Sequence, residues 1–174
     1  MHKQNKYMKI SIITITYNSA KTVQRALDSV QNQHYSDIEH IIVDGASSDG
    51  TREIVEKYAA DHKNVRYISE PDKGIYNALN KGIQMATGDV IGFLHSDDML
   101  YSSDSIGKIA ASFENESVDV VYGDLQYCHG DKVIRRWRSN AFRPLSLKFG
   151  WMPPHPTVYV RREVYEQVGE YDEW

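Results

Sequence analysis

Runs of apolar residues alternate along the first 122 positions with segments whose apolar residues recur every three or four positions. The first run, residues 10–16, is rich in β-branched side chains and predicts a strand buried on both faces. The next segment has its apolar residues at the spacing of one helix face: Val23, Ala26, Leu27 and Val30. Ser19 is the expected N-cap of that helix. A strand followed by a helix is the unit from which parallel sheets are built.

The alternation continues through four more strands, predicted at residues 40–43, 65–68, 90–94 and 118–122. The helices between them carry these apolar faces: Ile54, Val55 and Tyr58; Ile75, Leu79, Gly82, Ile83 and Ala86; Ile106, Ile109, Ala110 and Phe113. Gly88 is the expected C-cap of the third helix. Strands joined through helices imply right-handed crossovers, so the predicted fold class is α/β with a mostly parallel sheet.

The pattern changes after Gly123. Residues 125–128 and 132–138 flank a short turn at residues 129–131, which predicts an antiparallel hairpin attached to the sheet. The following stretch, residues 143–156, contains four prolines and is predicted to have irregular structure. A short strand at residues 157–160 and a short helix at residues 162–168 are predicted to close the chain.

Composition limits the possible functions. The chain has 174 residues, the length of one domain, and a formal net charge of -4 with a pI near 6.0, which argues against nucleic acid as a partner. Its single cysteine, Cys128, is typical of a reducing compartment and favours the cytoplasm. Residues 1–9 are polar and lack the apolar core of a secretory signal, and no apolar run is long enough to span a bilayer.

Polar side chains follow each of the first four predicted strands. In an open parallel sheet these loops meet beyond the carboxyl ends of the strands, so we expect them to form one site. The residues are Thr16, Tyr17 and Asn18; Asp44, Ser47, Ser48 and Asp49; Glu70, Asp72 and Lys73; and Ser96, Asp97 and Asp98.

The types of these residues favour a nucleotide diphosphate. Asp44 can accept hydrogen bonds from a base or a ribose, Tyr17 can cover a base, and the pair Asp97 and Asp98 can hold a divalent cation on a diphosphate. No glycine-rich phosphate loop opens the first helix, so the phosphate charge must be met by a metal and side chains. The alternative for the acidic residues, Asp49 in particular, is a turn capped by carboxylates.

Four segments carry a family resemblance: residues 12–18 (IITITYN), 42–51 (IVDGASSDGT), 72–82 (DKGIYNALNKG) and 86–98 (ATGDVIGFLHSDD). In these segments the chain resembles the family 2 glycosyltransferases, which implies the GT-A fold, a Rossmann-like sheet with helices on both faces. The Asp-Lys-Gly-Ile-Tyr motif and a later Pro-x-His resemble bacterial enzymes that build O-antigen, capsule and exopolysaccharide. The resemblance extends from about Lys9 to Trp174.

The resemblance implies transfer of a hexose, with inversion, from a nucleotide diphosphate sugar to a saccharide or lipid-linked saccharide. UDP is the expected nucleotide, and Mn²⁺ or Mg²⁺ the expected cofactor. Carried over by motif, Asp44 contacts the base, Thr16 and Tyr17 line its pocket, and Asp72 lies beside base and ribose. Ser96, Asp97 and Asp98 take the place of the DxD motif, with Asp98 as the metal ligand and Asp97 directed mainly to ribose or to metal-bound water.

Four further positions keep two interpretations each. Lys73 either neutralises phosphate or is solvated in its turn, and of Asn77 and Asn80 one can face the donor while the other holds the preceding loop. His155 lies in the Pro-x-His segment, where an imidazole can bind acceptor hydroxyl or diphosphate, or can support a loop. It is a weak candidate for the catalytic group.

The general base of the resembling enzymes follows the Gly-x-x-Asp region that ends here at Asp172, and the chain stops at Trp174. We therefore name no base and expect one catalytic domain, residues 1–174, shortened at its C-terminus. Its nucleotide half is residues 10–98 and its acceptor half begins at residue 99. The alternative function is a nucleotide-sugar binding module without transfer. A nucleotidyltransferase is disfavoured because residues 16–20 lack a glycine-rich, basic signature.

Basic and aromatic residues alternate between positions 135 and 151. They are Arg135, Arg136, Arg138, Arg143 and Lys148, with Trp137, Phe142, Phe149 and Trp151. Such a stretch can meet a lipid-linked acceptor or the inner face of the cytoplasmic membrane. The favoured alternative is a hairpin with a charged outer face and aromatic side chains packed inward.

Overall fold

The computed structural model describes residues 8–130 and 132–173; Asp131 of the predicted turn, residues 1–7 and Trp174 lie outside that range. The strands are β1 Ile10–Thr16, β2 Ile38–Asp44, β3 Val65–Ser69, β4 Val90–Phe93, β5 Val120–Val121, β6 Leu125–His129, β7 Lys132–Trp137 and β8 Tyr159–Arg161. The helices are α1 Val23–Gln31, α2 Thr51–Asp61, α3 Ile75–Met85, α4 Ser105–Ser112, α5 Pro144–Leu147 and α6 Arg162–Val168, with a 3-10 turn at His155–Thr157.

Six strands form one sheet in the order β3-β2-β1-β4-β8-β5. Strands β3, β2, β1 and β4 are parallel, while β8 lies between β4 and β5 and is antiparallel to both. Strands β6 and β7 form a separate antiparallel hairpin. The predicted α/β class, the mostly parallel sheet and the hairpin appendage are confirmed.

Helices cover both faces of the sheet because each presents the apolar stripe that its spacing predicted. On one face Ile10, Ile12 and Val90 pack against α1 and α4, and Ile42 packs against α1 and α2. On the other face Ile13, Ile41, Val43, Ile91 and Phe93 pack against α3, with Tyr165 of α6 at the margin. Strands β1 and β2 are buried on both sides, which explains their unbroken runs of β-branched residues.

Two predicted caps are wrong. Helix α1 begins at Val23 after Thr22, without a side-chain cap, because the chain first turns through residues 19–22; the Ser19 hydroxyl instead donates to Tyr17 O at 3.1 Å. Helix α3 ends at Met85, with extended backbone at Ala86, so Gly88 is not its C-cap. Gly88 lies against β1, where a Cβ would come within 2.6 Å of Ser11 Oγ.

Residues 122–157, here called the outer lobe, contain the hairpin and the single turn α5, which falls in the stretch expected to be irregular. Among the described residues of this lobe, Pro154 alone is buried. The expectation that its aromatic side chains pack inward holds only in part. Trp151 is half-buried against Tyr122 and Phe142, whereas Phe142 and Phe149 are 52% and 82% exposed.

Candidate functional site

Four loops meet at the carboxyl ends of the parallel strands and enclose a cleft of about 760 Å³. The cleft lies beyond β1 and β4, the neighbouring strands from which connections leave in opposite directions, and this is where open α/β sheets bind ligands. Its walls are Ile15, Thr16, Tyr17 and Ser19 from β1 and its loop; Gly45 after β2; Pro71, Asp72, Gly74, Ile75 and Ala78 from the β3 loop and α3; and His95, Ser96 and Asp97 after β4. The predicted convergence of the four loops is confirmed.

The structure divides the residues expected to bind the nucleotide or its metal into two groups. Thr16, Tyr17, Asp72, Ser96 and Asp97 line the cleft. The lining does not include Asn18, Asp44, Lys73, Asn77 and Asp98. A smaller hollow of about 340 Å³, lined in part by His34 and Asp104, contains none of these side chains.

The floor of the cleft is Gly45. A Cβ at this position would lie 2.8 Å from Asp72 Oδ2 and 3.2 Å from Tyr17 Cδ2, so a larger residue would displace the Asp72 carboxylate or the Tyr17 ring. Tyr17 is 66% exposed and offers a ring face to a planar ligand. The ring face of Tyr17 and the carboxylate oxygen Oδ2 of Asp72 thus lie side by side at the floor of the cleft.

Thr16 contributes a buried hydroxyl to the same region. Its backbone carbonyl accepts a hydrogen bond from Gly45 N at 2.9 Å. Its Oγ1, by contrast, has no hydrogen-bond partner within the described part of the chain, although the residue is only 5% exposed. A buried hydroxyl without a partner is costly, which marks this oxygen as a ready contact for a ligand.

Asp44 lies beneath the cleft and is fully buried. Its Oδ2 accepts hydrogen bonds from Ser47 N at 3.0 Å and from Ser69 Oγ at 2.6 Å, and its Oδ1 accepts one from Ser47 Oγ. In this arrangement the carboxylate organises the loop after β2. The contact with a base that the motif implies stays a prediction, and it requires this network to open.

Asn18 and Asp49 connect the loops after β1 and β2. Asn18 adopts a left-handed backbone conformation with φ 48°, and its Oδ1 accepts a hydrogen bond from Ser48 N at 3.0 Å. Asp49 accepts from Thr51 Oγ1 at 2.6 Å and from Ala20 N at 3.1 Å, and these hydrogen bonds lower the pKa of its carboxyl. For Asp49 the capped turn is therefore what the structure contains.

The acidic pair lies in a turn after β4, closed by Asp98 N donating to His95 O at 3.0 Å. Asp97 is exposed and Asp98 is partly buried. Burial first, and then the charge of Asp97, raise the pKa of Asp98, with His95 acting in the opposite direction. Ionised Asp98 therefore lacks compensating positive charge, which a cation would supply.

The donor set fits a cation that is shared with a ligand. Within the described residues no group of three or more His, Cys, Asp or Glu side chains is arranged to hold a metal. Mn²⁺ and Mg²⁺ are commonly held by one or two carboxylates together with substrate phosphates and water. Asp98 and Asp97 match that pattern and do not form a closed metal site.

His155 lies beside this turn in an aromatic cluster. Its ring stacks on Phe93 with centroids 5.7 Å apart and on His95 at 5.8 Å. Its Nε2 lies 3.2 Å from Tyr171 Oη. The packing around the ring, and then the charge of His95, lower the pKa of His155. The imidazole is thus kept neutral near the acidic pair.

The C-terminal segment is bound to α3, which sequence reasoning missed. Asn80 Oδ1 accepts from Tyr171 N at 2.9 Å, and Asn80 Nδ2 donates to Glu173 Oε1 at 3.0 Å. Asn77 Nδ2 donates to Glu173 Oε2 at 2.9 Å, and its Oδ1 accepts from Lys73 N at 3.3 Å. Both asparagines therefore support backbone segments here. Their spacing of three along a helix was the available signal.

Comparison with known proteins identifies the chain's relatives. A sequence model described as glycosyl transferase family 2 matches residues 11–170. A PGL/p-HBAD biosynthesis glycosyltransferase of Mycobacterium tuberculosis is 34% identical over 168 residues, covering 93% of this chain and 62% of that protein. Glycosyltransferase AglE of Haloferax volcanii is 27% identical over 169 residues, covering 93% and 55%. The chain thus spans less than two thirds of the length of these relatives.

Two solved structures share the fold. The mannosyltransferase PcManGT from Pyrobaculum calidifontis, in complex with GDP-Man and Mn²⁺, superposes with a TM-score of 0.75 at 21% identity, over 97% of this chain and 49% of that one. S. aureus TarS 1-349 in complex with UDP-GlcNAc gives 0.73 at 22% identity, over 92% and 47%. Within the described range, no helix is both long and apolar enough to cross a membrane.

Proposed function

Because this chain belongs to glycosyl transferase family 2, we propose that its cleft binds a nucleotide diphosphate sugar, with UDP as the nucleotide. The observation that carries the proposal is that several groups able to contact a ligand lie together at the floor of the cleft. Beside Gly45 lie the exposed ring of Tyr17 and Oδ2 of Asp72, and the cleft is also lined by Thr16, whose Oγ1 has no partner among the described residues. A ring face and hydrogen-bonding oxygens suit a base and a ribose.

The metal part of the proposal rests on the turn after β4. We assign Asp98 as the ligand of Mn²⁺ or Mg²⁺ and Asp97 as a second contact to the cation or the ribose. A cation there would act as a Lewis acid on the leaving diphosphate. The GDP-Man and Mn²⁺ bound to PcManGT, and the UDP-GlcNAc bound to TarS, support a nucleotide sugar and a divalent cation here, although the two nucleotides differ.

The proposed reaction is inverting transfer to a saccharide or lipid-linked saccharide in cell-surface polysaccharide synthesis. The acceptor oxygen forms a bond to the anomeric carbon, the bond from that carbon to the diphosphate oxygen breaks, and the acceptor proton passes to a base. His155 is the candidate within the described residues, because its ring lies 5.8 Å from His95, in the turn that carries Asp97 and Asp98. On this proposal residues 10–98 bind the nucleotide, and residues from 99 onward face the acceptor.

A second function, binding of nucleotide sugar without transfer, is favoured by one observation. Glu173, the last described carboxylate, accepts hydrogen bonds from Asn77 and Asn80, and these lower its pKa. It is therefore occupied as a support for the C-terminal segment and is a poor proton acceptor. Transfer of sugar to any acceptor by this chain would exclude the binding-only function.

Thermal-shift measurements with UDP-, GDP- and dTDP-sugars, with and without Mn²⁺, test the donor. At 100 times its dissociation constant a ligand stabilises the folded protein by about 2.7 kcal/mol, which is measurable. We expect a UDP-sugar shift that needs Mn²⁺ and is lost in Asp98→Ala. Asp61→Ala, at the exposed end of α2, is the matched control and should keep the shift. Lack of any nucleotide effect, or a full effect in Asp98→Ala, would refute the assignment.

We also propose peripheral contact with an anionic membrane, through the outer lobe, for a protein that acts in the cytoplasm. Residues 125–152 contain six Lys or Arg residues and one Asp, in a chain whose net charge is -4. Large apolar side chains are exposed among them: Ile134, Phe142, Leu145, Leu147, Phe149 and Met152. Basic charge beside exposed aromatic and aliphatic groups suits anionic lipid headgroups.

Flotation with vesicles tests this contact. We expect binding to vesicles that contain phosphatidylserine and none to pure phosphatidylcholine. The triple variant Arg135→Gln, Arg136→Gln, Arg138→Gln should lose binding, whereas Arg25→Gln on α1 should keep it. Equal binding of the wild type to both vesicle types would refute the membrane contact, and so would a lack of binding by both the wild type and Arg25→Gln. Neither result would affect the donor assignment.

A further inference from the structure

One side chain of α3 holds a wall of the cleft in place. The Lys81 ammonium donates to Asp72 Oδ1 at 2.8 Å and to Pro71 O at 3.0 Å, and it lies 2.9 Å from Glu70 Oε1. A lysine has three N–H donors, so three consecutive residues of the loop after β3 use all of them. Lys81 is not among the residues that line the cleft.

The loop has few other restraints at this point. It is tied to β2 where Glu70 N donates to Asp44 O at 2.9 Å, and to α3 where Lys73 N donates to Asn77 Oδ1 at 3.3 Å. Helix α3 starts after Gly74, which has φ 122° and no side chain to cap the helix. Between these two anchors, within the described residues, Lys81 is the side chain that hydrogen-bonds the Asp72 carboxylate.

Lys81 occupies one oxygen of Asp72 and leaves the other toward the cleft floor. Oδ2 is the atom that a Cβ at Gly45 would approach to 2.8 Å, beside the ring of Tyr17. The side chains of Lys81 and Asp72 are only 18% and 13% exposed, so water competes little for their contact. Partial burial opposes the charged form of Lys81, but hydrogen bonds to Asp72 and Glu70 raise its pKa.

We propose that Lys81 is a positioning residue for the nucleoside part of the donor. By binding Oδ1, it aims Oδ2 of Asp72 at N–H or O–H donors of the base or the ribose. This inference rests on the proposed function, since it requires a nucleotide in the cleft. It adds a specific expectation: loss of Lys81 weakens contact with the nucleoside and leaves contact with the diphosphate and metal unchanged.

Two isothermal titrations of the whole chain in Mn²⁺ separate these contacts. Titration with UDP measures the nucleoside and diphosphate contacts together, and titration with inorganic pyrophosphate measures the diphosphate contact alone. We expect Lys81→Met to weaken UDP binding about tenfold and to leave pyrophosphate binding unchanged. Asp72→Asn should weaken UDP to a similar extent, and the double variant should be no weaker than either single one, because Lys81 acts through Asp72. Lys81→Arg should recover most of the affinity.

Lys57→Met, on the exposed face of α2, is the matched control and should bind UDP as the wild type does. Urea denaturation of each variant separates a loss of stability from a loss of affinity. If Lys81→Met does not fold, Lys81→Gln replaces it in the comparison of the single and double variants with Asp72→Asn. Additive losses in the double variant, or an equal loss of pyrophosphate affinity, would overturn the role of Lys81. A wild-type protein that binds pyrophosphate and not UDP would overturn the proposed nucleotide site itself.

Discussion

Strand β2 carries a buried carboxylate near each end, and the two have opposite surroundings. Glu39, near the amino end, is 5% exposed and lies 3.4 Å from both Lys9 Nζ and Arg66 Nη1. Asp44, at the carboxyl end, is fully buried and accepts hydrogen bonds from neutral serine and backbone donors. Among the described residues, no cationic group lies within ion-pair distance of Asp44.

The difference extends across the two edges of the sheet. At the amino edge Ser11, Thr87 and two cations surround one carboxylate, so the charge is matched inside the protein. At the carboxyl edge Asp44, Asp97 and Asp98 have no ion-pair partner within the described residues, and Lys81 alone opposes Asp72. Asp44 is buried beneath the cleft, whereas Asp97 and Asp98 are exposed and partly buried, so their unmatched charge is available to a ligand. We therefore expect the amino edge to determine stability and the carboxyl edge to determine binding.

Glu39→Ala gives the largest expected effect. The change leaves Ser11 Oγ, Thr87 N and two cations without their shared acceptor, and removal of one partner from such a buried network costs about 3 kcal/mol. Urea denaturation measures the loss, and UDP affinity of the folded protein should be unchanged. Glu39→Gln, which keeps one acceptor oxygen, should lose less. A variant that retains its stability but loses nucleotide binding would reverse the assignment of the two edges.

Asp98→Asn is the corresponding change at the carboxyl edge. We expect the affinity for UDP in Mn²⁺ to fall about 100-fold, equivalent to about 2.7 kcal/mol, because the metal ligand is lost. The free energy of unfolding should stay equal or rise, since burial and Asp97 already disfavour the charge of Asp98. Calorimetric titration and urea denaturation of the same samples provide both numbers. A large loss of stability would make Asp98 a structural residue like Glu39.

His40 lies between the two edges and provides a pH test. It is fully buried beside Thr14 and Tyr58, and burial first, then the charge of His62, lower its pKa to about 3 from an ordinary 6.5. The folded protein keeps this ring neutral and the unfolded chain protonates it. Stability should therefore fall by about 1.4 kcal/mol per pH unit as pH decreases from 6.5 toward 3.

The variant His40→Gln should have a smaller slope than the wild type between pH 6.5 and pH 5, as followed by urea denaturation; the remaining slope includes His155, whose pKa is also lowered. Glu39 does not interfere in that range. Burial would raise its pKa, but hydrogen bonds from Thr87 and Ser11 and the charge of Lys9 lower it below the ordinary 4.5. Stability that depends on ionised Glu39 is present above pH 4.5 and is lost only as pH falls through the lower, folded value. Identical slopes in wild type and variant would exclude His40 as the source.

The smallest expected effects come from two hydroxyls at opposite ends of β1. Ser11 Oγ donates to Glu39 Oε2 at 2.7 Å and accepts from Gly88 N at 2.9 Å, so Ser11→Ala should cost about 1 to 2 kcal/mol of stability and leave binding intact. Thr16→Val removes an unpartnered hydroxyl without changing shape, so it should keep stability and weaken UDP about fivefold. If Ser11→Ala and Thr16→Val changed stability and UDP affinity in the same way, the proposed difference between the amino and carboxyl edges of the sheet would be wrong.

Much of the fold could be predicted because its signals are local. The β-branched runs of β1 and β2 and the helical spacing of Val23, Ala26 and Val30 are visible within a few residues, and the parallel arrangement of the first four strands follows from their connection through helices. The position of β8 could not be predicted. A strand was predicted at residues 157–160, but its place in the sheet depends on pairing with β4 between residues about 70 positions apart, which no local pattern encodes.

The location of the candidate site could be predicted from the sequence, but the directions in which its side chains point could be predicted less well. Loop positions follow from strand ends, which is why Thr16, Tyr17 and Asp72 line the cleft as expected. Asp44 faces inward because Ser69, 25 positions away, donates to it, and no local pattern encodes that bond. Lys81 was missed because a lysine on a helix is usually solvated. Its place opposite Asp72 becomes evident only once the loop folds over α3.

The insertion of β8 between β4 and β5 has a consequence for how the protein is made. Strand β5 pairs with β8, which leaves the ribosome about 40 residues later, so during synthesis β4 is a bare edge with an apolar sequence. Such edges template aggregation in nascent chains. Slowing translation before β8 has emerged from the ribosome should therefore lower the yield of native protein, whereas a pause after its emergence should be harmless.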